Sequence, residues 1–146
     1  MDFFTLLKQE HKEAKDTFKE LLAEETVDRE QTEVLCRKLL LHMEMEEKYF
    51  YPEMKAQKQK EAVELATEAL LEHTEARKPI KALMDSKFDD IEYKVKLELL
   101  QLEIVHHAEE EEKEFFPLAK ELLEKDKIQE ITENMLTLKE KKQVAV

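Results

Sequence analysis

Apolar residues return at alternating intervals of three and four along most of this chain, the spacing that lines them up on one face of an α-helix. From Phe3 to about Glu24 the stripe is Phe4, Leu7, His11, Ala14, Phe18 and Leu21. From about Asp28 to Glu53 it is Leu35, Leu39, His42, Glu46 and Phe50. A third run, about Lys60 to Met84, gives Ala66, Ala69, His73, Ala76, Ile80 and Leu83, and a fourth, about Asp89 to Leu123, gives Leu100, Ile104, His107, Glu111, Phe115 and Leu118. Each run predicts an amphipathic helix, and each places a histidine, with a glutamate in two of them, where the periodicity demands a core residue. Ile128, Ile131, Met135 and Leu138 predict a further helix over about residues 126–142, docked outside the others.

The connections, about Glu25–Asp28, Ala56–Gln59 and Ser86–Asp90, are short, so successive helices run antiparallel. The predicted fold is all-α, an antiparallel up-down four-helix bundle over about residues 3–123 with an extra C-terminal helix, in one domain of 146 residues. Composition agrees: there is no glycine, and Glu, Lys, Leu and Ala dominate. Pro52 and Pro117 are expected to kink or end their helices, and Pro79 to bend the third. The formal charge of -12 repels phosphate backbones and anionic lipid surfaces, which argues against nucleic acid and membrane as partners. One cysteine, Cys36, excludes an internal disulfide, and no apolar run reads as a signal peptide or a membrane span. A soluble cytoplasmic protein is expected.

The chain also repeats itself. LLLHMEMEEKYFYP, ending at Pro52, lies over IVHHAEEEEKEFFP, ending at Pro117, so His42 meets His107 and Glu46 meets Glu111. EHKEAK, from Glu10, lies over EHTEAR, from Glu72, so His11 meets His73. Each half is a helix with one inward histidine followed by a helix with His-x-x-x-Glu, whose two side chains share a face one turn apart.

Four imidazoles and two carboxylates inside one bundle are costly unless something satisfies them. A pair of metal ions does so, and nitrogen with carboxylate oxygen suits iron, manganese or zinc. The expected partition puts His11 and His42 on one metal and His73 and His107 on the other, with Glu46 and Glu111 bridging, although the spacing leaves cross-pairing open. Two nitrogens and two bridging oxygens per metal leave room for a shared oxo or hydroxo bridge and an exchangeable position. Ala14 and Ala76, small and near His11 and His73, leave space for a small ligand.

The order His, His-x-x-x-Glu, His, His-x-x-x-Glu, with EEKYFYP and EEKEFFP behind the paired residues, resembles the hemerythrin-like, or HHE cation-binding, domain family over about Phe3 to Leu123. The resemblance implies a non-heme di-iron centre that meets oxygen, nitric oxide or peroxide for sensing, storage or detoxification, with peroxide or nitric oxide reduction as the enzymatic form. Oxygen carriers of the family have a further histidine where this chain has Arg77, which turns the expectation from reversible carriage towards redox turnover. The set of four histidines and two glutamates is also similar to the di-iron domains of iron-sulfur cluster repair proteins. Those usually carry a cysteine-bearing segment ahead of the first helix, whereas this sequence opens directly on it. Iron donation to damaged clusters is thus an alternative, and a metal-free helical interaction module is another.

The remaining polar residues have plainer expected roles. His106, rotated about 100° from His107, is expected to face away. Glu103, which with His106 forms a single Glu-x-x-His, is expected to accept the second ring proton of His107. Glu109, Glu110 and Glu112 read as solvated flanks, and Lys15 and Arg77 as surface charge or as cations at a pocket mouth. Tyr49 and Tyr51 read as rim packing and Cys36 as structural.

Overall fold

A computed structural model describes residues 1–85 and 87–144. Helix α1 covers Phe3–Ala23, and α2 covers Arg29–Met45, running through a π turn at Glu46–Phe50 into the short α3, Tyr51–Ala56. Helix α4 covers Lys60–Asp85; α5, Asp90–Glu110, runs through a second π turn at Glu111–Phe115 into α6, Phe116–Leu122. Helix α7 covers Lys125–Val144, and there is no β-strand among the described residues. Ser86, at the start of the expected fourth-helix connection, lies outside the described residues.

Local chemistry sets the helix starts. Asp2, Asp28 and Asp89 stand in extended conformation before α1, α2 and α5, and their carboxylates accept the backbone N–H groups of Thr5, Gln31 and Glu92. With no glycine available, the turn between α3 and α4 puts Lys58 in the left-handed region at φ 57°. Helix α4 continues through Pro79. Among the described residues no helix is long and apolar enough to cross a membrane.

The apolar interior falls into two clusters, which lie at opposite ends of the bundle. One gathers Phe4, Leu7, Phe50, Met54, Ala66 and Phe116, and the other Phe18, Leu35, Ile80, Leu83, Tyr93 and Leu97. Helices α1 and α4 begin in the first cluster, whereas α2 and α5 begin in the second, which is the up-down arrangement the short connections demand. The histidines and glutamates of the core stripes occupy the layer between the clusters. Helix α7 lies along α1 and α2, burying Ile131, Met135 and Leu138, and Thr132 Oγ1 accepts the Phe3 N–H at 2.8 Å.

Neither Pro52 nor Pro117 stops its helix. The helix passes instead into a π turn immediately ahead of each: the Tyr51 N–H bonds to the Glu46 carbonyl and the Phe116 N–H to that of Glu111. Lengthening the loop by one residue allows the chain to remain hydrogen-bonded up to a residue that has no N–H to give. Both π turns begin on the glutamates of the core stripes.

Candidate metal centre

The mid-bundle layer brings His11 from α1, His42 from α2, His73 from α4 and His107 from α5 around Glu46 and Glu111, the first residues of the two π turns. Donor atoms of His11, His42, Glu46 and Glu111 lie within 4.8 Å of one another, and so do those of Glu46, His73 and His107. Glu46 Oε1 is 3.3 Å from His42 Nε2 and 3.2 Å from His73 Nε2. Glu111 spans the other diagonal, with Oε1 3.2 Å from His11 Nε2 and Oε2 3.6 Å from His107 Nε2.

Every imidazole is held from behind. The Nδ1 atoms of His11, His42, His73 and His107 lie 2.7, 2.8, 2.7 and 2.7 Å from carboxylate oxygens of Glu112, Glu10, Glu47 and Glu72. Donation from Nδ1 leaves each Nε2 with its lone pair aimed inward, the tautomer a metal ligand requires. His73 Nε2 and His107 Nε2 then face each other at 3.3 Å, an arrangement of two lone pairs that calls for positive charge between them.

Five buried atoms at this centre have no hydrogen-bond partner: His11 Nε2, His42 Nε2, both carboxylate oxygens of Glu46 and Glu111 Oε1. With all four imidazoles neutral and no cation present, at about 1–3 kcal/mol for each unsatisfied buried group the set would cost roughly 5–15 kcal/mol, as much as the whole net stability of a domain. A cation coordinated by these same atoms removes that cost, so the residues present fit a metal site.

Electrostatics point the same way. Burial disfavours charge on His42, yet the carboxylates of Glu46 and Glu10 push its pKa up to about 10. His73 is raised against the same burial by Glu46 and Glu47, and His107 well raised by Glu111 and Glu72. Glu111 is held well below the carboxylate range, its burial outweighed by Glu46, His107 and His11. The carboxylates around His42, His73 and His107 thus favour positive charge on these three rings, as suits a pocket that receives cations.

The model of the hemerythrin HHE cation-binding domain matches residues 2–119. The chain belongs to this family. No curated protein and no solved structure gives a significant match. The family match accounts for a cation site among these helices, and it ends before α7.

Several residues of this hemerythrin-type centre stand elsewhere than the periodicity suggested. Glu103 is exposed and is not the acceptor for His107; Glu72 takes that place from α4, because the Nδ1 edge of His107 turns across to the neighbouring helix. Glu112 is not a solvated flank. It follows the inward Glu111 by about 100°, which points it into the seam with α1, where it holds His11. Tyr51 is fully buried rather than at the rim, since a π turn brings residue i+5 back beneath residue i and so carries Tyr51 inward. Its hydroxyl donates to Glu111 Oε2 at 2.6 Å and lies 3.3 and 3.4 Å from His73 Nε2 and His107 Nε2. Burial and the Glu111 and Glu46 carboxylates hold the phenol well above its ordinary pKa, so it stays a donor.

Neither Arg77 nor Lys15 lines the cavities that reach the core histidines. Arg77 is bonded to Glu47 at 2.7 Å and Lys15 lies 3.9 Å from Glu109. Tyr49 packs half-buried against the first apolar cluster. His106 is exposed, 3.2 Å from Glu110, and outside the central layer. Cys36 is buried and free, and burial, aided by Glu33, pushes its thiol up to about 11. A cavity of about 320 Å³ reaches all four core histidines and is walled by Glu10, Ala14, Lys38 and Lys139. An apolar groove of about 590 Å³, lined by Val63, Leu71, Ala76 and Ile104, also reaches His73 and His107.

Proposed function

We propose that this chain is a non-heme di-iron protein that binds or reacts with a small diatomic or oxidant ligand, in a cytoplasmic setting. In this reading His11 and His42 hold one ion, His73 and His107 hold the other, and Glu46 and Glu111 are shared. The observation that carries it is the set of unpartnered buried nitrogens and carboxylate oxygens gathered at one centre, beside a cavity of about 320 Å³ that reaches its four histidines. Iron is favoured over zinc and manganese by the hemerythrin-like resemblance, because family members with this donor order carry iron. A pair of bound iron ions supplies one-electron redox chemistry to an incoming oxidant.

The chain's own residues do the rest. Glu10, Glu47, Glu72 and Glu112 fix the tautomer and orientation of the four imidazoles. Tyr51 offers an O–H at the edge of the site, where it keeps one Glu111 oxygen occupied and lies within 3.4 Å of His73 Nε2 and His107 Nε2. The apolar clusters above and below restrict water to the cavities. Anaerobic loading with ferrous iron, followed by titration with oxygen and with nitric oxide, tests the proposal. A reversible optical change on adding and removing oxygen supports storage or sensing, whereas net consumption of oxidant supports turnover. An iron-loaded protein that responds to neither gas nor to peroxide contradicts the proposal.

A further inference from the structure

Helix α7 lies beyond the segment that the family model matches, yet one of its side chains reaches the centre. Lys139 Nζ is 2.7 Å from Glu10 Oε2, and the other oxygen of the same carboxylate is 2.8 Å from His42 Nδ1. The side chains of Lys139 and Glu10 are only 28% and 14% exposed, so this pair is shielded in a way that ordinary surface pairs are not. Helix α7 is fixed in register by Ile131, Met135 and Leu138 in the core and by Thr132 at the start of α1. Lys139 and Gln143 also wall the cavity that opens on the histidines.

We propose that α7 is a working part of the metal centre, with Lys139 as a positioning residue that holds Glu10, and through it His42, in the orientation needed for metal binding. This rests on the di-metal reading of the site. The repeat supplies an internal control. Glu72 performs for His107 what Glu10 performs for His42, and among the described residues no lysine or arginine lies within ion-pair distance of Glu72. The ion on the His11–His42 side therefore depends on α7, and the one on the His73–His107 side does not. Lys139 bears a positive charge that would itself repel a nearby cation. Its geometric effect outweighs that repulsion, because without it Glu10 is free to turn towards solvent and His42 loses the acceptor that fixes its ring.

The test compares the full-length chain with Lys139→Met, Lys139→Arg and Lys142→Met, the last removing an exposed α7 pair with Glu44. Zinc and ferrous iron are the probes, and dissociation is followed by competition with a chromophoric chelator. Lys139→Met should release one of its two ions about tenfold faster, with the other unchanged. Lys139→Arg should restore wild-type release, and Lys142→Met should match wild type. In proton NMR of the zinc-loaded chain, the slowly exchanging His42 Nδ1–H should weaken in Lys139→Met alone, a readout that general loosening of the helix does not give.

Thr132→Val separates the two effects, since it loosens α7 at Phe3 and leaves Lys139 in place. Wild-type release and an intact His42 signal in Lys139→Met overturn the inference while leaving the di-metal reading standing. The inference also falls, again without touching that reading, if Thr132→Val reproduces the full effect of Lys139→Met and Lys139→Arg fails to rescue it. A wild-type chain that takes up no pair of ions overturns both.

Discussion

Tyr51 and Phe116 hold the same place in the two repeats, each five residues after its glutamate and each the first residue beyond a π turn, yet only Tyr51 has a hydroxyl. It donates to Glu111, so one oxygen of the second-repeat glutamate is satisfied by protein, while both oxygens of Glu46 are without partners. Phe116 stacks on the His11 ring at an interplanar angle of 3°. The outer carboxylates diverge as well. Glu10 and Glu47, behind the two histidines that touch Glu46, are paired with Lys139 and Arg77. Among the described residues no lysine or arginine pairs with Glu72 or Glu112, behind the two that touch Glu111. The six inward side chains thus correspond between the repeats while their surroundings differ, so the two carboxylates at the heart of the site are not chemically equivalent.

Removing either central glutamate probes that difference most severely. Glu46→Ala should abolish uptake of a metal pair, because Glu46 belongs to both groups of donor atoms. Glu111→Ala should retain part of the uptake, and metal content per chain by atomic emission decides the order. Equal loss in both would mean that the two halves act alike.

Protons come next. In the metal-free chain, His42 has its pKa raised from 6.5 to about 10, and His73 and His107 are raised as well. The contribution of His42 is complete below about pH 6.5 and is lost as pH rises towards 10, and those of His73 and His107 are likewise lost on raising the pH. Glu10, Glu47, Glu72 and Glu111 are lowered from 4.5, so their contribution is present above about pH 4.5 and is lost on acidification. The melting temperature of the metal-free chain should therefore peak between these limits and fall as pH rises towards 10. Metal loading should move the optimum upward, since the ions replace the protons. A flat profile up to pH 10 would speak against protonated histidines in the metal-free centre.

Tyr51→Phe makes the first repeat imitate the second. It leaves a buried Glu111 oxygen without its donor and should cost about 1–3 kcal/mol in urea midpoints of the metal-free chain. No measurable loss would mean that the hydroxyl does not support Glu111. At the small end, Arg77→Met should cost about 1 kcal/mol through Glu47, and Lys15→Met, its repeat counterpart, less than about 0.5 kcal/mol.

The helices, their antiparallel order and the inward register of His11, His42, Glu46, His73, His107 and Glu111 were legible because burial follows periodicity. The π turns were not, since one inserted residue shifts what lies beyond it while leaving the stripe before it intact; Tyr51 was misplaced for that reason. The carboxylates behind the histidines escaped for another. A residue adjacent to an inward one is rotated about 100°, and on a helix taken alone that direction is solvent. In a four-helix bundle it is also the seam with the next helix. The signal was present in the repeat itself, which has a glutamate before both His11 and His73 and a second glutamate after both Glu46 and Glu111.

Metal content after anaerobic ferrous loading, measured together with melting temperature, tests the central claim most directly. Two irons per chain and a clear rise in melting temperature are expected, because the five unpartnered atoms would then be coordinated. Less than one iron per chain, with melting unchanged from the metal-free protein, would contradict it.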